Sequence, residues 1–211
     1  MNAPDLLTIS PVMPVVVLHD ADQAVPVAEA LAAGGIRVVE LTLRTDAALD
    51  AIRRVATEVP DVVVGAGTVV TPAQAREAAD AGAAFLVTPG TTDTLLDAAE
   101  GTGLPLLPGV ATVSEALRLT ERGLDTLKFF PAEASGGAAA LAAIGGPLPH
   151  LRFCPTGGIT AAGAGDYLAL PNVGCVGGSW LTPRDALATH DYARIETLAK
   201  EASTLRRTPA T

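Results

Sequence analysis

Two residues in this chain have the type and the company needed for covalent work on a carbonyl, Lys128 and Glu40. Lysine is scarce here: Lys128 and Lys200 are the only two among 14 basic residues, and Lys200 falls in a terminal, helix-like stretch that solvates it. Lys128 stands inside the apolar run Leu127-Lys128-Phe129-Phe130-Pro131. Burial disfavours an ammonium ion, and a desolvated lysine that gives up its proton is a nucleophile toward ketones. A lysine snorkelling to the rim, or one paired with a carboxylate, would occupy the same position without catalysing anything.

Glu40 lies in a second strand-like run and is the candidate acid/base. Side chains alternate along a strand, so Val39, Leu41 and Leu43 make one apolar face, while Ile36, Val38, Glu40, Thr42 and Arg44 make the other. In the lysine's run Leu127 and Phe129 share one face, and Thr126, Lys128 and Phe130 share the opposite one. Both charged residues therefore fall on the parity that faces away from packed helices. Four residues of strand put Arg44 roughly 13 Å from Glu40, too far to be simply its ion-pair partner. Arg44 suits a forked clamp on a substrate carboxylate, or else a plain surface ion pair at the rim. An ion pair between Glu40 and Lys128 across the interior is compatible with function, because a carboxylate beside the amine can move its protons.

Eight repeats of one unit position these residues: a short β-branched run, a Gly/Pro/Thr turn, and an Ala-rich amphipathic stretch. Strands are expected near 12–18, 36–43, 61–67, 83–88, 104–108, 124–130, 151–156 and 173–178. Helices are expected near 22–33, 46–57, 72–81, 92–100, 113–122, 137–144, 161–168 and 187–206. Thr71-Pro72 and Thr112 through Glu115 read as helix starts, and Gly34-Gly35, Gly82 and Gly123 as helix ends. Eight strand–helix alternations predict an α/β fold, a (β/α)8 TIM barrel forming a single domain over 1–211. An open doubly wound sheet is the rival, but strand one ends in Leu18-His19-Asp20 without a Gly-rich turn.

In such a barrel the loops after strands seven and eight often hold phosphate on exposed N–H groups. Pro155-Thr156-Gly157-Gly158-Ile159 and Gly177-Gly178-Ser179-Trp180 occupy those two places, and Ser179 adds a hydroxyl donor. Each Gly-Gly alone would be ordinary turn chemistry; the pair points to a phosphorylated ligand. Gly65-Ala66-Gly67-Thr68 and Thr88-Pro89-Gly90 close strands three and four.

The formal net charge of -9 argues against a nucleic-acid partner. His19, His150 and His190 have no ligand spacing with one another or with the cysteines, so no metal and no cofactor is expected. Cys154 and Cys175 read as reduced core thiols. The first ten residues lack a basic leader and Pro11–Leu18 is too short to span a bilayer, so the expectation is a cytoplasmic protein with no membrane partner.

Taken together, Val39 through Thr45, Gly65-Ala66-Gly67-Thr68-Val69, Thr88-Pro89-Gly90, Lys128 through Glu133, Arg152 through Ile159 and Gly177 through Leu181 resemble the bacterial KDPG/KHG aldolase family, in order and over nearly the whole chain. The resemblance implies a metal-free class I aldolase of carbohydrate metabolism, with 2-keto-3-deoxy-6-phosphogluconate (KDPG), a phosphorylated 2-keto sugar acid of the Entner–Doudoroff route, as substrate. It implies Lys128 as the Schiff-base residue and Glu40 as the acid/base. Arg44 and Thr68 would hold the pyruvate carboxylate, Pro89 and Phe130 would wall the pocket, and Thr156 would lie near a substrate hydroxyl. Gly157, Gly158 and Ser179 would receive the phosphate, and the chain would assemble as a homotrimer. His19 stands where members of the family often carry lysine. Alternative substrates are 4-hydroxy-2-oxoglutarate and the galactonate epimer, and a non-catalytic sugar-phosphate binding barrel is the remaining reading.

Overall fold

The computed structural model describes residues 2–205. Its parallel strands run in the order β5-β4-β3-β2-β1-β9 in one sheet and β6-β7-β8 in a second. These are β1 (Val12–Val16), β2 (Val38–Thr42), β3 (Val63–Gly67), β4 (Leu86–Val87), β5 (Leu106–Leu107), β6 (Gly109–Val110), β7 (Thr126–Phe129), β8 (Arg152–Pro155) and β9 (Val176–Gly178). β5 and β6 are two halves of one barrel strand, separated by Pro108. A bridge between Thr156 and Gly177 joins β8 to β9. The ring thus closes into the expected (β/α)8 barrel.

Between the strands lie α2 (Ala24–Ala33), α3 (Ala48–Glu58), α4 (Pro72–Asp80), α5 (Asp93–Glu100), α6 (Val113–Glu121), α7 (Gly137–Gly145) and α8 (Ala164–Leu168), with α9 (Arg184–Ala188) and α10 (Tyr192–Ser203) at the end. Thr71 and Thr112 cap α4 and α6 in reciprocal boxes with Gln74 and Glu115. In the second box, the Ala111 N–H chiefly holds the Glu115 carboxyl below its usual range. Gly35, Gly82 and Gly123 take positive φ where α2, α4 and α6 end.

Alternation sorts the core into two clusters. Val39, Leu41, Val64, Ala66, Leu127 and Phe129 point outward and pack with Leu31, Ile52, Val55 and Leu119 of the helices. Val38, Met13, Phe85, Val87, Leu107, Cys154 and Cys175 point inward and form a separate cluster in the lumen. Both cysteines are buried. The lumen cluster also contains Leu6 and Leu7 of a helix the sequence reading passed over, α1 (Ala3–Ile9). α1 starts on an Asn2–Asp5 capping box and seals the floor of the barrel. Apolar floor and polar top follow from the same strands, since only their upper lumen positions carry charge.

The structure corrects three expectations. Strand five does not stop at Pro108 but resumes as β6, where Lys128 N–H donates to the Pro108 carbonyl. Ile36 packs outward with the helices rather than inward, because it precedes the regular strand that begins at Val38. The terminal helix is two helices: His190 takes φ 55 and the Asp191 side chain accepts from Arg194 N–H, ending α9 and starting α10. The last expected helical position, Arg206, lies outside the described residues. No helix among them is long and apolar enough to cross a membrane.

Candidate active site

β2 and β7 bring Glu40 and Lys128 together across 88 residues of sequence. Lys128 Nζ donates to Glu40 Oε1 at 3.1 Å and to Oε2 at 3.4 Å. Lys128 is 4% and Glu40 1% exposed, so the pair is almost fully out of water. Removing two charges from water costs several kcal/mol per ion, which their attraction offsets only partly. A structural pair of this kind is poor value for stability alone, and its place at the top of the lumen makes it the candidate catalytic pair. Lys128 Nζ lies over the Phe130 ring, 5.4 Å from its centroid.

The neighbouring strand, β3, leaves room for that carboxylate by having no side chain at Gly67. Gly67 is in register one residue beyond the position paired with Glu40's successor, and a Cβ there would come within 2.0 Å of Glu40 Oε1. Next along the chain, Thr68 adopts φ 58, an uncommon conformation for a residue with a Cβ. It aims its hydroxyl at Arg44, whose Nε donates to Thr68 Oγ1 at 3.2 Å. Arg44 is thus oriented by a threonine and not by a surface carboxylate. Pro89 lies after β4 with its backbone against Gly109, the β6 residue in register with Lys128.

Above the pair, past Phe130 and Thr156, opens a cavity of about 540 Å³ whose lining does not include Lys128 or Glu40 themselves. Arg44, Phe130, Thr156, Gly157, Gly158 and Ser179 all line it. Gly157 (φ 103) and Gly158 (φ 83) need glycine for their backbone shape, and a Cβ on Gly158 would strike Glu133. Glu133 N–H donates to the Gly157 carbonyl, and the Tyr167 hydroxyl donates to Glu133 Oε1, so the glycine turn is braced from behind. Burial first, and the Glu133 carboxylate second, push the Tyr167 hydroxyl well above its usual pKa. Thr68 and Pro89 do not line this cavity; Thr68 reaches it through Arg44.

Sequence reading missed the segment after β9. Thr182, Pro183, Arg184 and Leu187 close one side of the cavity. Arg184 was detectable in principle as a cation in loop eight, but nothing local says which way that loop folds. His19 lines a neighbouring cavity with Gln23 and Arg184 instead of the one above Lys128. Among the described residues there is no group of three or more His, Cys, Asp or Glu side chains placed to hold a metal ion.

A buried amine beside a carboxylate, under a cavity with an oriented arginine and two glycine turns, can form and hydrolyse an imine on a small anionic ketone. Comparisons with known proteins agree. A family model described as KDPG and KHG aldolase matches residues 4–198. The chain is 55% identical over 201 residues to the KHG/KDPG aldolase of Escherichia coli K12, covering 95% of this chain and 94% of that one. It is 56% identical over 201 residues to the 2-dehydro-3-deoxy-phosphogluconate aldolase of Dickeya dadantii, with the same coverage. It superposes with a TM-score of 0.94, at 45% identity over 97% of its length and 99% of the other's, on the KDPG aldolase of Legionella pneumophila, a structure with pyruvate captured at low pH as a covalent carbinolamine.

Proposed function

Because the chain belongs to the KDPG and KHG aldolase family, we propose that it is a class I aldolase that cleaves KDPG to pyruvate and D-glyceraldehyde 3-phosphate, with Lys128 as the nucleophile. The observation that carries the reading is the buried Lys128–Glu40 contact at 3.1 Å beneath the cavity. Lys128 passes a proton to Glu40, and the neutral amine attacks the substrate's C2 ketone to give a carbinolamine. Glu40 returns the proton to the departing hydroxyl, and water leaves an iminium. Glu40, directly or through a water molecule, then takes the C4 hydroxyl proton as the C3–C4 bond breaks. The electron pair of that bond moves into the iminium, giving an enamine and releasing glyceraldehyde 3-phosphate. Protonation at C3 and attack of water on the regenerated iminium free pyruvate and Lys128. The iminium acts as the electron sink, which is the gain from covalent catalysis.

Arg44, held by Thr68, takes the carboxylate; Phe130 and Pro89 wall the reacting end; Thr156 faces the substrate hydroxyls. Gly157, Gly158 and Ser179 receive the phosphate, which positions the chain of carbons over the amine. The name of the Escherichia coli relative supports a second activity on 4-hydroxy-2-oxoglutarate at the same lysine. The test is pyruvate release from KDPG in the presence of a chelator, coupled to lactate dehydrogenase, together with borohydride treatment in pyruvate. Full activity in chelator and a reduced pyruvyl adduct on Lys128 are expected. Activity that disappears with the chelator, or no release at all, would sink the assignment.

The same reading makes 1–211 one catalytic domain, a cytoplasmic location and a homotrimer. For the trimer, Val113 and Leu117 of α6 are 40% and 45% exposed and four residues apart on one helix face. Sedimentation equilibrium is expected to give three times the mass of the 21.3 kDa chain; a monomer mass at micromolar concentration would refute it.

A further inference from the structure

The cavity above Lys128 is lined by two arginines, and only one of them has a role in the reading above, on which this inference rests. Arg44 is tied to Thr68. The Arg184 side chain has no hydrogen-bond or ion-pair partner among the described residues. Its neighbour Asp185, the obvious carboxylate, is already bonded to Arg194 at 2.6 Å. The stem of Arg184 nevertheless starts from a fixed point. Leu181 is fully buried, Thr182 is 6% exposed and Ala186 1%, so residues on both sides of it are packed into the barrel. The guanidinium end is free, and the residue lines the cavity beside Ser179, Gly157 and Gly158.

Strand order sets the two arginines apart. Arg44 follows β2 and Arg184 follows β9, with β1 between them. Two strand spacings separate the starts of those loops by roughly 10 Å. A cavity with one cation at each side, in a chain whose net charge is -9, suits a ligand with an anion at each end. We propose that Arg184 is a specificity-determining residue that grips the substrate's distal phosphate, completing with its fork a site otherwise built from backbone N–H groups and the Ser179 hydroxyl. Charge-assisted, forked contacts of this kind are the strong members of the hydrogen-bond class. 4-Hydroxy-2-oxoglutarate also ends in an anion, but its C5 carboxylate is joined directly to C4 and stops short of the distal site, so the contact acts chiefly on the phosphorylated substrate.

The test uses wild type, Arg184→Ala and Arg184→Lys. Calorimetric titration with inorganic phosphate reads the distal site without turnover, and steady-state kinetics on KDPG and on 4-hydroxy-2-oxoglutarate read its use. Arg184→Ala is expected to weaken phosphate binding and raise the KM for KDPG by roughly tenfold, about one decade of affinity. Its kcat should be little changed, as expected when binding to ground state and transition state is lost together. The KM for 4-hydroxy-2-oxoglutarate should change far less than that for KDPG, and Arg184→Lys should recover part of the phosphate affinity. Wild type that binds no phosphate, an alanine variant that binds it as tightly as wild type, or equal losses on both substrates would overturn the assignment. Failure of wild type to cleave KDPG would instead count against the proposed function, while the phosphate titration would still decide the role of Arg184.

Discussion

Replacing Lys128 with alanine is expected to lower kcat for pyruvate release by on the order of 10⁴- to 10⁶-fold, the scale of loss when a covalent nucleophile is removed. No other lysine can substitute, because Lys200 lies on α10 outside the barrel. Borohydride in the presence of pyruvate should then leave the protein unmodified. The change also removes the only ion-pair partner of a buried carboxylate among the described residues. Breaking a buried pair from one side typically costs about 3–5 kcal/mol. Thermal melts should therefore show Lys128→Ala less stable than wild type, with Lys128→Met/Glu40→Gln recovering part of the loss because it leaves no unpaired charge. Activity must be read well below the variant's melting temperature with its circular dichroism intact. A folded Lys128→Ala protein that kept even a hundredth of wild-type turnover would remove the Schiff base from the mechanism.

The second large effect is expected at Glu40. Glu40→Gln keeps the shape and the acceptor oxygen facing Lys128 Nζ but cannot move protons. A positioned acid/base contributes about 10²- to 10⁴-fold, so kcat should fall by that range. Imine formation should slow without vanishing, leaving a borohydride adduct that accumulates over longer times. This separates the two residues: loss at Lys128 abolishes trapping, and loss at Glu40 delays it. Gly67→Ala offers an independent check, since its Cβ would sit 2.0 Å from Glu40 Oε1 and force the carboxylate off the amine. That variant should lose activity without any change to an ionisable group. Normal turnover in Glu40→Gln would show that proton transfer runs through another residue or bulk water.

Both effects were visible in outline from one-dimensional pattern. Lys128 is conspicuous because a lysine amid Phe129, Phe130 and Leu127 breaks an apolar run, and strand alternation alone puts it on the same inward parity as Glu40. Caps at Thr71 and Thr112, and the glycines ending α2, α4 and α6, are local signals and were readable for that reason. Short-range rules fail where the decisive contact is distant. Ile36 broke the alternation because regular strand geometry had not begun. The terminal stretch, periodic enough to read as one helix, divides at His190, where an Asp191 cap competes with helix continuation.

The sequence by itself thus determined the number of strand–helix units, the inward parity of the charged residues and the glycine turns after strands seven and eight, because each depends on residues within one or two helical turns or along one strand. Only the tertiary structure decided that α1 plugs the barrel floor, that Lys128 and Glu40 meet at 3.1 Å, that Thr68 orients Arg44, and that the loop after β9 brings Arg184 into the cavity's lining. Those depend on closure of the ring, which sets strands 88 residues apart face to face and fixes where each loop lands. No local propensity carries that information.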